Sequence, residues 1–254
     1  MSDLQHPGSR SFELVADLYE RARPEYPAEA IAWMADRIDL REGRTVLDLG
    51  AGTGKLTRAL VSTGAGVIAV EPGEAMLREL RRAVPAAQAL HGAAEDIPLP
   101  DKSVDAITVG QAFHWFREDE ALPEMHRVLR PHGALVLTWN ERDHDTPMQR
   151  EITELIAPCV PPGRPGSESW TKSFVDYTFA HENLFGPLEE RRFPFAQELD
   201  AEGLVDRIGS ISFVAAAAPE LRSGLEGELR NLVARKGGKV ELAYLTSVYI
   251  SRAA

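Results

Sequence analysis

Short apolar segments alternate with helical patterns through the first part of the chain, and this alternation is its most regular feature. Apolar runs of strand length predict five strands, at 45–49, 67–71, 89–91, 104–109 and 134–139. Between these runs the apolar positions recur every three or four residues, which predicts helices, the first at 55–63. Because strands joined by helices form a parallel sheet through right-handed crossovers, the pattern predicts an α/β fold from 45 to about 140.

The pattern is looser outside this region. A sixth strand is predicted at 188–195, followed by two or three helices at 204–235. The Gly237-Gly238 turn leads into 240–250, where alternating apolar residues predict a last strand, antiparallel and at or near the sheet edge. Two helices are predicted before the first strand, with faces formed by Phe12, Val15, Tyr19 and Ala22 and by Ile31, Met34, Ala35 and Ile38.

Composition and charge narrow the class of protein. The 254 residues suffice for one α/β domain, and 44% hydrophobic with 26% charged residues is typical of a soluble globular protein. A net charge of −11 argues against nucleic acid as a partner. No apolar run approaches the roughly 20 residues of a membrane span. The start lacks the features of a signal peptide, and the single cysteine, Cys159, indicates a loop thiol in a reducing cytoplasm.

The turn after the first strand is the strongest chemical signal. Residues 46–54 run from an apolar strand containing Asp48 into alternating glycines at Gly50, Gly52 and Gly54. Glycines let a ligand approach the backbone at the carboxyl end of a parallel strand. An ordinary strand–turn–helix and a dinucleotide fold are the alternatives, but Lys55 stands where a dinucleotide motif has its third glycine. Since Asp48 repels phosphate, the turn favours a cationic ligand.

A second acid follows at a matching position. Glu71 ends the second predicted strand, where nucleotide-binding folds place a carboxylate that accepts both ribose hydroxyls. A glutamate exposed at a strand end is the alternative. Its position beside the glycine turn favours the binding role.

These residues carry a family resemblance. Asp48-x-Gly50-x-Gly52-x-Gly54 resembles the first motif of class I S-adenosylmethionine-dependent methyltransferases, and 91–100 resembles their third. The resemblance implies a Rossmann-like, doubly wound α/β fold, with a mostly parallel seven-stranded sheet, an antiparallel last strand, N-terminal helices and a small helical cap. It implies S-adenosylmethionine as the cofactor, bound by Arg23, Asp48, Gly50, Ala51, Gly52, Thr53, Gly54, Glu71, Pro72, Met76, Ala94, Glu95, Asp96 and Gln111.

The loop 110–116, rich in aromatic residues, should line a pocket, since exposing it would be costly. Together with Tyr19 and 23–27 it resembles the branch that includes trans-aconitate methyltransferases, which methylate carboxyl groups of small acids. The turn 127–133 also resembles the family's, with His132 where a glycine is commoner. The substrate pocket is therefore expected to comprise Tyr19, Tyr26, His114, Trp115 and Trp139.

Two roles remain open for His114 and for Arg23. His114 is either a general base or a shaping residue of the pocket. Arg23 clamps the methionine carboxylate of the cofactor, clamps the acid of the substrate, or is a plain surface residue. Asp143-His144-Asp145 favours a solvated turn over a metal site, so catalysis without a metal is expected.

The sequence thus predicts a cytoplasmic enzyme that methylates a small molecule, with a carboxylate as the favoured acceptor. The alternatives are N-, C- or phenolic O-methylation in secondary metabolism, a cofactor-binding protein without transfer activity, and, least favoured, an NAD-dependent oxidoreductase. One domain spans 1–254, with a helical lid at 1–40, a cofactor-binding half at 41–140, and a substrate-side half at 141–254 that carries a cap at about 200–236. The acceptor and the oligomeric state stay open.

Overall fold

The computed structural model describes residues 22–161 and 184–254. Within them, seven strands form one sheet in the order β3-β2-β1-β4-β5-β7-β6. The strands are β1 (Thr45–Leu49), β2 (Gly66–Glu71), β3 (Gln88–His91), β4 (Val104–Gly110), β5 (Leu129–Arg142), β6 (Glu189–Leu199) and β7 (Val240–Arg252). Neighbouring strands from β3 to β5 pair in parallel, while β7 is antiparallel to both β5 and β6. The predicted mostly parallel sheet with an antiparallel last strand is confirmed.

Helices connect the strands on both faces of the sheet. They are α1 (Ala28–Arg37), α2 (Lys55–Val61), α3 (Glu74–Ala83), α4 (Glu118–Val128), α5 (Pro147–Ile156), α6 (Ala201–Gly209), α7 (Ser212–Ala215) and α8 (Pro219–Arg235). Short 3-10 turns lie at Phe113–Trp115 and Ala157–Cys159. The predicted helix with a face at Ile31, Met34, Ala35 and Ile38 is confirmed as α1. The other N-terminal helix, and Tyr19 with it, falls almost entirely outside the described residues.

Two strands, β5 and β6, extend at least four residues beyond one of their predicted bounds. β5 was expected at 134–139 but begins at Leu129, because a register shift in its pairing with β4 accommodates the intervening turn. It continues to Arg142, since β7 pairs with it over this whole length. β6 runs to Leu199, and its Pro194 is tolerated because β6 is the edge strand of the described sheet.

Alternate residues along the central strands point to opposite faces of the sheet, and each face is packed by helices. On one face Leu47 and Ile107 join a buried cluster with α4. On the other face Val46 and Ala106 pack against α1 and α2. Burial on both faces explains why these strands are almost continuously apolar. A third buried cluster joins α5, α6 and α8 to β7. Of these helices, α6 and α8 lie in the region predicted as a cap, at about 200–236.

The topology fixes where a ligand can bind. From β1 the chain proceeds outward through β2 and β3, then returns to place β4 on the other side of β1. In open α/β sheets the crevice for ligands lies outside the carboxyl ends of the strands at such a switch point. The ends of β1 and β4 are therefore the expected site. Within the described ranges, no helix is long and apolar enough to cross a bilayer.

Candidate active site

A cavity opens at the carboxyl ends of β1 and β4, where the topology places the crevice. The glycine turn, the end of β4, the segment before α1 and one residue of the cap contribute to its lining. The lining residues are Arg23, Pro24, Tyr26, Asp48, Gly50, Ala51, Gly52, Thr53, Lys55, Leu56, Gly110, Gln111, Asn140 and Arg207. The structure thus brings together most of the predicted motif-one residues with Arg23, Tyr26 and Gln111.

The glycine turn requires glycine for two different reasons. Gly50 and Gly52 have φ angles of 69° and 57°, in the left-handed region that other residues seldom adopt. A Cβ atom on Gly50 would lie 2.8 Å from the Cβ atom of Ala112, so the turn packs closely against the loop after β4. A Cβ atom on Gly52 would meet no atom of the described chain within 4 Å. The backbone at Gly52 therefore faces the open cavity.

Glu71 joins the end of β2 to this turn. Its carboxylate accepts the amide of Gly52 at 2.9 Å and the amide of Gly73 at 2.8 Å, one on each oxygen. The side chain is 8% exposed, so these bonds fix its position at the end of β2, beside the glycine turn that lines the cavity. Because each carboxylate oxygen can accept more than one hydrogen bond, Glu71 retains acceptor capacity for a diol. The arrangement fits the ribose of a nucleoside cofactor.

Asp48 is buried at the end of β1 and lines the cavity. Its carboxylate accepts hydrogen bonds from the hydroxyls of Thr57, at 2.6 Å, and Thr108, at 3.3 Å. Burial raises the pKa of Asp48 to about 7; the two threonine hydrogen bonds oppose this shift, and the negative charge of Glu71 adds to it. An acid held in this way gains from a positive charge placed beside it, as the amine and sulfonium of S-adenosylmethionine would be.

The residues predicted to surround the adenine ring lie in different environments. Met76 is buried in α3, and Ala94 belongs to the main core cluster. The Glu95 carboxylate accepts the amide of Arg117 at 2.8 Å, just before α4, which uses one of its oxygens. Asp96 is exposed. Adenine contacts by Pro72, Met76 and residues 94–96 stay a prediction, since the cavity lining does not reach them.

The loop after β4 is held in an unusual backbone conformation. Gln111 has a φ angle of 61°, which is uncommon for a residue other than glycine. Its amide donates to the carbonyl of Thr138 at 2.9 Å, and its side-chain amide donates to the carbonyl of Asn140 at 3.1 Å. Strained residues held by such bonds concentrate at binding sites. Gln111 is thereby fixed at the cavity between β4 and β5.

Of the aromatic residues in this loop, Phe113 and Phe116 pack into the core, whereas His114 and Trp115 are half-buried. Phe113 is fully buried in the main core cluster, and Phe116 lies edge-on to it at a ring distance of 5.8 Å. His114 and Trp115 form a tilted ring pair with centroids 4.7 Å apart, outside the described cavity lining. Trp139 is also a core residue, 4% exposed and packed against Tyr249. Phe113 and Trp139 therefore belong to the core, and the pocket roles of His114 and Trp115 stay a prediction.

The segment before α1 is attached to three parts of the molecule. The Glu25 carboxylate forms ion pairs with Lys55 at 2.8 Å and with Arg58 at 2.9 Å, both on α2. The Asn140 side chain donates to the carbonyl of Glu25 at 3.3 Å. Arg23 donates to the carbonyl of Ser210, after α6, at 2.9 Å. These bonds place Arg23 and Tyr26 over the cavity.

Asn140 and Arg207 are among the cavity residues that the sequence-based site lacks. Asn140 accepts the hydroxyl of Thr246 at 2.7 Å, which links β5 to β7. Arg207 lies on α6 between Leu204 and Ile208, on the helix face that is buried in the cap core. An arginine at a spacing otherwise occupied by buried apolar residues was the available signal. Among the described side chains, no three His, Cys, Asp or Glu residues group closely enough to hold a metal ion.

Comparison with known proteins adds a consistent set of findings. Residues 47–137 match the family model described as a methyltransferase domain. An uncharacterized methyltransferase of Mycobacterium tuberculosis is 40% identical over 226 residues, which cover 89% of this chain and 86% of that protein. A solved type II methyltransferase structure from Anaeromyxobacter dehalogenans is similar in fold, with a TM-score of 0.64 and 24% identity, covering 91% of this chain and 97% of that chain.

A second solved structure is similar over the full length of this chain and 60% of its own, with a TM-score of 0.54 and 15% identity. It is a phosphoethanolamine N-methyltransferase of Haemonchus contortus in complex with phosphomonomethylethanolamine and S-adenosylhomocysteine. At this identity the likeness concerns the fold alone.

Proposed function

This chain belongs to the S-adenosylmethionine-dependent methyltransferases, and we propose that it transfers the methyl group to a carboxylate oxygen of a small molecule. The observation that carries the proposal is the charge of the cavity. Arg23 and Arg207 both line it, on the side of the end of β5 and the cap. Two guanidinium groups favour an anionic acceptor over a neutral or cationic one.

The geometry of the glycine turn supports a proposed set of cofactor-binding residues. Glu71 would accept the ribose hydroxyls, and the open backbone at Gly52 would allow close approach of the ligand. Asp48 supplies negative charge beside the cationic end of the cofactor. When bound, S-adenosylmethionine supplies a methyl group carried on a positively charged sulfonium. Gln111 and Tyr26 border the space where an acceptor would meet that methyl group.

With a carboxylate acceptor, the site has to contribute little chemistry beyond binding and orienting the two substrates. An ionised carboxylate is already a nucleophile, so no general base has to remove a proton. Holding donor and acceptor in line can by itself supply roughly 7–11 kcal/mol of barrier reduction. His114 lies outside the described cavity lining, which argues against a role as the general base. The enzyme's residues therefore act by orientation, charge and exclusion of water.

The N-terminal part of the chain acts as a lid in this proposal. Arg23 reaches the cap through Ser210, while Glu25 is held by α2, so the segment bridges the two sides of the cavity. A bridging segment of this kind encloses the acceptor and keeps water from the reacting groups. We also propose that the enzyme is cytoplasmic and that its catalysis needs no metal ion.

Product release with a matched panel of acceptors tests the proposal. Each carboxylic acid is offered with its amide and with a phenol and an amine of similar size, and S-adenosylhomocysteine is quantified by mass spectrometry. We expect turnover with acids and none with the matched amides. Turnover confined to phenols or amines would assign the enzyme to N- or phenolic O-methylation. Cofactor binding without turnover of any acceptor would assign it to the class that binds without transfer.

A further inference from the structure

Arg207 is a buried cation that faces the cavity. Its side chain is 3% exposed, although arginine is almost never fully buried unless its charge is paired. One terminal nitrogen, Nη1, is buried and has no hydrogen-bond partner in the described chain. Its residue also lines the cavity. A buried guanidinium nitrogen without an acceptor is costly, so an anionic ligand that supplied the missing acceptor would relieve that cost.

The guanidinium is held in a fixed orientation. Its Nε donates to the hydroxyl of Tyr244 at 2.8 Å, and its central carbon lies 5.4 Å from the centre of the Tyr244 ring. Tyr244 is itself 1% exposed and stacks on Phe195 with ring centroids 5.1 Å apart. These contacts come from α6, β6 and β7, which are also joined through the cap core. Arg207 is therefore oriented before any ligand binds, which lowers the entropy lost on binding.

A second positive charge lies close to the first. Arg142, at the end of β5, donates to the side-chain oxygen of Gln149 at 2.7 Å and to its carbonyl at 3.0 Å, and both acceptors are neutral. Burial, followed by the positive charge of Arg207, lowers the pKa of Arg142 to about 10. In the described part of the chain neither guanidinium forms an ion pair with a carboxylate. As far as the described residues determine it, the local field is therefore positive.

The position of Arg207 separates it from the groups assigned to the cofactor. Glu71 lies at the end of β2, on one side of β1, whereas Arg207 belongs to the cap joined to β7, beyond β4 and β5. Gln111 and Asn140, from the ends of β4 and β5, line the same cavity. An anion held there would lie across the cavity from the ribose end.

We propose that Arg207 is the specificity-determining residue that binds an anionic group of the methyl acceptor, and that Tyr244 is the residue that positions it. The proposal rests on the proposed function, because it assigns a binding subsite within the same reaction. Its ligand class is a small carboxylate bound through charge-assisted hydrogen bonds to Nη1.

Equilibrium binding tests the subsite without turnover. The full-length protein is saturated with S-adenosylhomocysteine, and acetate, succinate and glutarate are titrated by calorimetry beside the uncharged succinamide. We expect at least one of the three anions to bind, with an affinity that falls as salt rises, and succinamide not to bind. Arg207→Gln should weaken the bound anion about 10- to 100-fold, the range of a charge-assisted hydrogen bond.

Three further variants separate the subsite from a structural effect. Arg207→Lys should restore part of the anion affinity, and Tyr244→Phe should weaken it less than Arg207→Gln while both remain folded. Arg230→Gln is the matched control, because Arg230 is an exposed cap arginine paired with Glu202 at 2.8 Å. It should bind the anion like the unaltered protein. S-adenosylhomocysteine affinity should stay the same in all four variants.

Several results would overturn the assignment. Failure of the unaltered protein to bind any of the three anions, or equal binding by Arg207→Gln, would remove Arg207 as an anion ligand. A comparable loss of S-adenosylhomocysteine affinity in Arg207→Gln would instead assign Arg207 to the cofactor. Anion binding that depends on Arg207, without methylation of any acid, would contradict the proposed function alone. Methylation of acids at an unchanged KM in Arg207→Gln would contradict the subsite alone.

Discussion

The carboxylate of Glu71 accepts the backbone amide of Gly52 at 2.9 Å, across the gap between the ends of β2 and β1. The residue predicted to bind the ribose therefore also holds the glycine turn that is predicted to contact the same cofactor. The second oxygen of Glu71 accepts the amide of Gly73, at the start of α3. One buried side chain thus fixes the distance between the two backbone segments that border the cofactor site.

Glu71→Ala is expected to weaken S-adenosylhomocysteine binding by roughly 1.5–3 kcal/mol, the value of charge-assisted hydrogen bonds. Glu71→Gln should lose less, because it keeps one acceptor oxygen for Gly52 or Gly73. Glu74→Gln, at the exposed first position of α3, is the control and should bind normally. Calorimetry gives all three affinities, and unchanged binding in Glu71→Ala would remove Glu71 from the ribose site.

The raised pKa of Asp48 predicts a pH-dependent cofactor affinity. In the free protein Asp48 is largely protonated below pH 7, because its pKa is about 7. A cationic ligand favours the ionised form, so binding must expel a proton at low pH. Affinity for S-adenosylmethionine should therefore rise with pH up to about 7, by no more than tenfold per unit, and level off above it.

Calorimetry in buffers of different ionisation enthalpy measures the proton released on binding. Asp48→Asn should bind more weakly at pH 8 and lose the pH dependence.

The raised pKa of Asp48 also predicts how the stability of the folded protein depends on pH. The contribution of Asp48 to stability is fully present below its unfolded pKa, near 3.8, and is lost as pH rises through about 7. The unaltered protein should therefore lose stability relative to Asp48→Asn between pH 4 and 7. Parallel pH profiles of the two proteins would contradict this account.

Deleting residues 1–27 is expected to leave a folded domain that has lost most turnover. The deletion removes Arg23 and Tyr26 from the cavity and frees Lys55 and Arg58 from Glu25. The strands and the cap cluster lie beyond the deletion, so circular dichroism should show a cooperative thermal transition. A truncated enzyme with normal kcat would show that this segment is not a lid.

His114→Ala is expected to keep substantial activity, because a carboxylate acceptor needs no base. The kcat of the unaltered enzyme at saturating cofactor should be nearly flat from pH 6 to 9. A hydroxyl acceptor that relies on His114 would instead give a rise through an apparent pKa near 6.5 and a loss of about 10²–10⁴-fold in the variant. Steady-state rates of both proteins across this pH range decide between the two mechanisms.

Local signals in the sequence were sufficient for the sheet and the glycine turn. Strand and helix periodicities arise from which faces are buried, and the glycine positions follow from backbone angles that other residues disfavour. His132 illustrates the same rule: it stands where similar turns have glycine, and its φ angle is 62°. Such features depend on a few neighbouring residues, so they can be predicted without knowing the packing.

The acceptor side of the site depends on contacts between distant parts of the chain. Arg207 meets Tyr244 from 37 positions away, and Asn140 meets Thr246 from 106 positions away. Arg207 has the spacing of a buried residue, but an arginine in a helical pattern is usually a surface residue, so the packed cap is needed to establish its burial. Phe113 and Trp139 were expected near a pocket but lie in the core. The sequence could not distinguish the two positions, because an aromatic residue near a site has the same pattern whether it faces the ligand or the core.

Transfer of a labelled methyl group tests the central claim most directly. The enzyme is incubated with S-adenosylmethionine deuterated in its methyl group and with the acid that releases the most S-adenosylhomocysteine. The account predicts a product that carries the label and releases deuterated methanol in mild base, as a methyl ester does. A labelled product that resists mild base would place the methyl group on nitrogen, carbon or a phenolic oxygen, and would contradict methylation of a carboxylate.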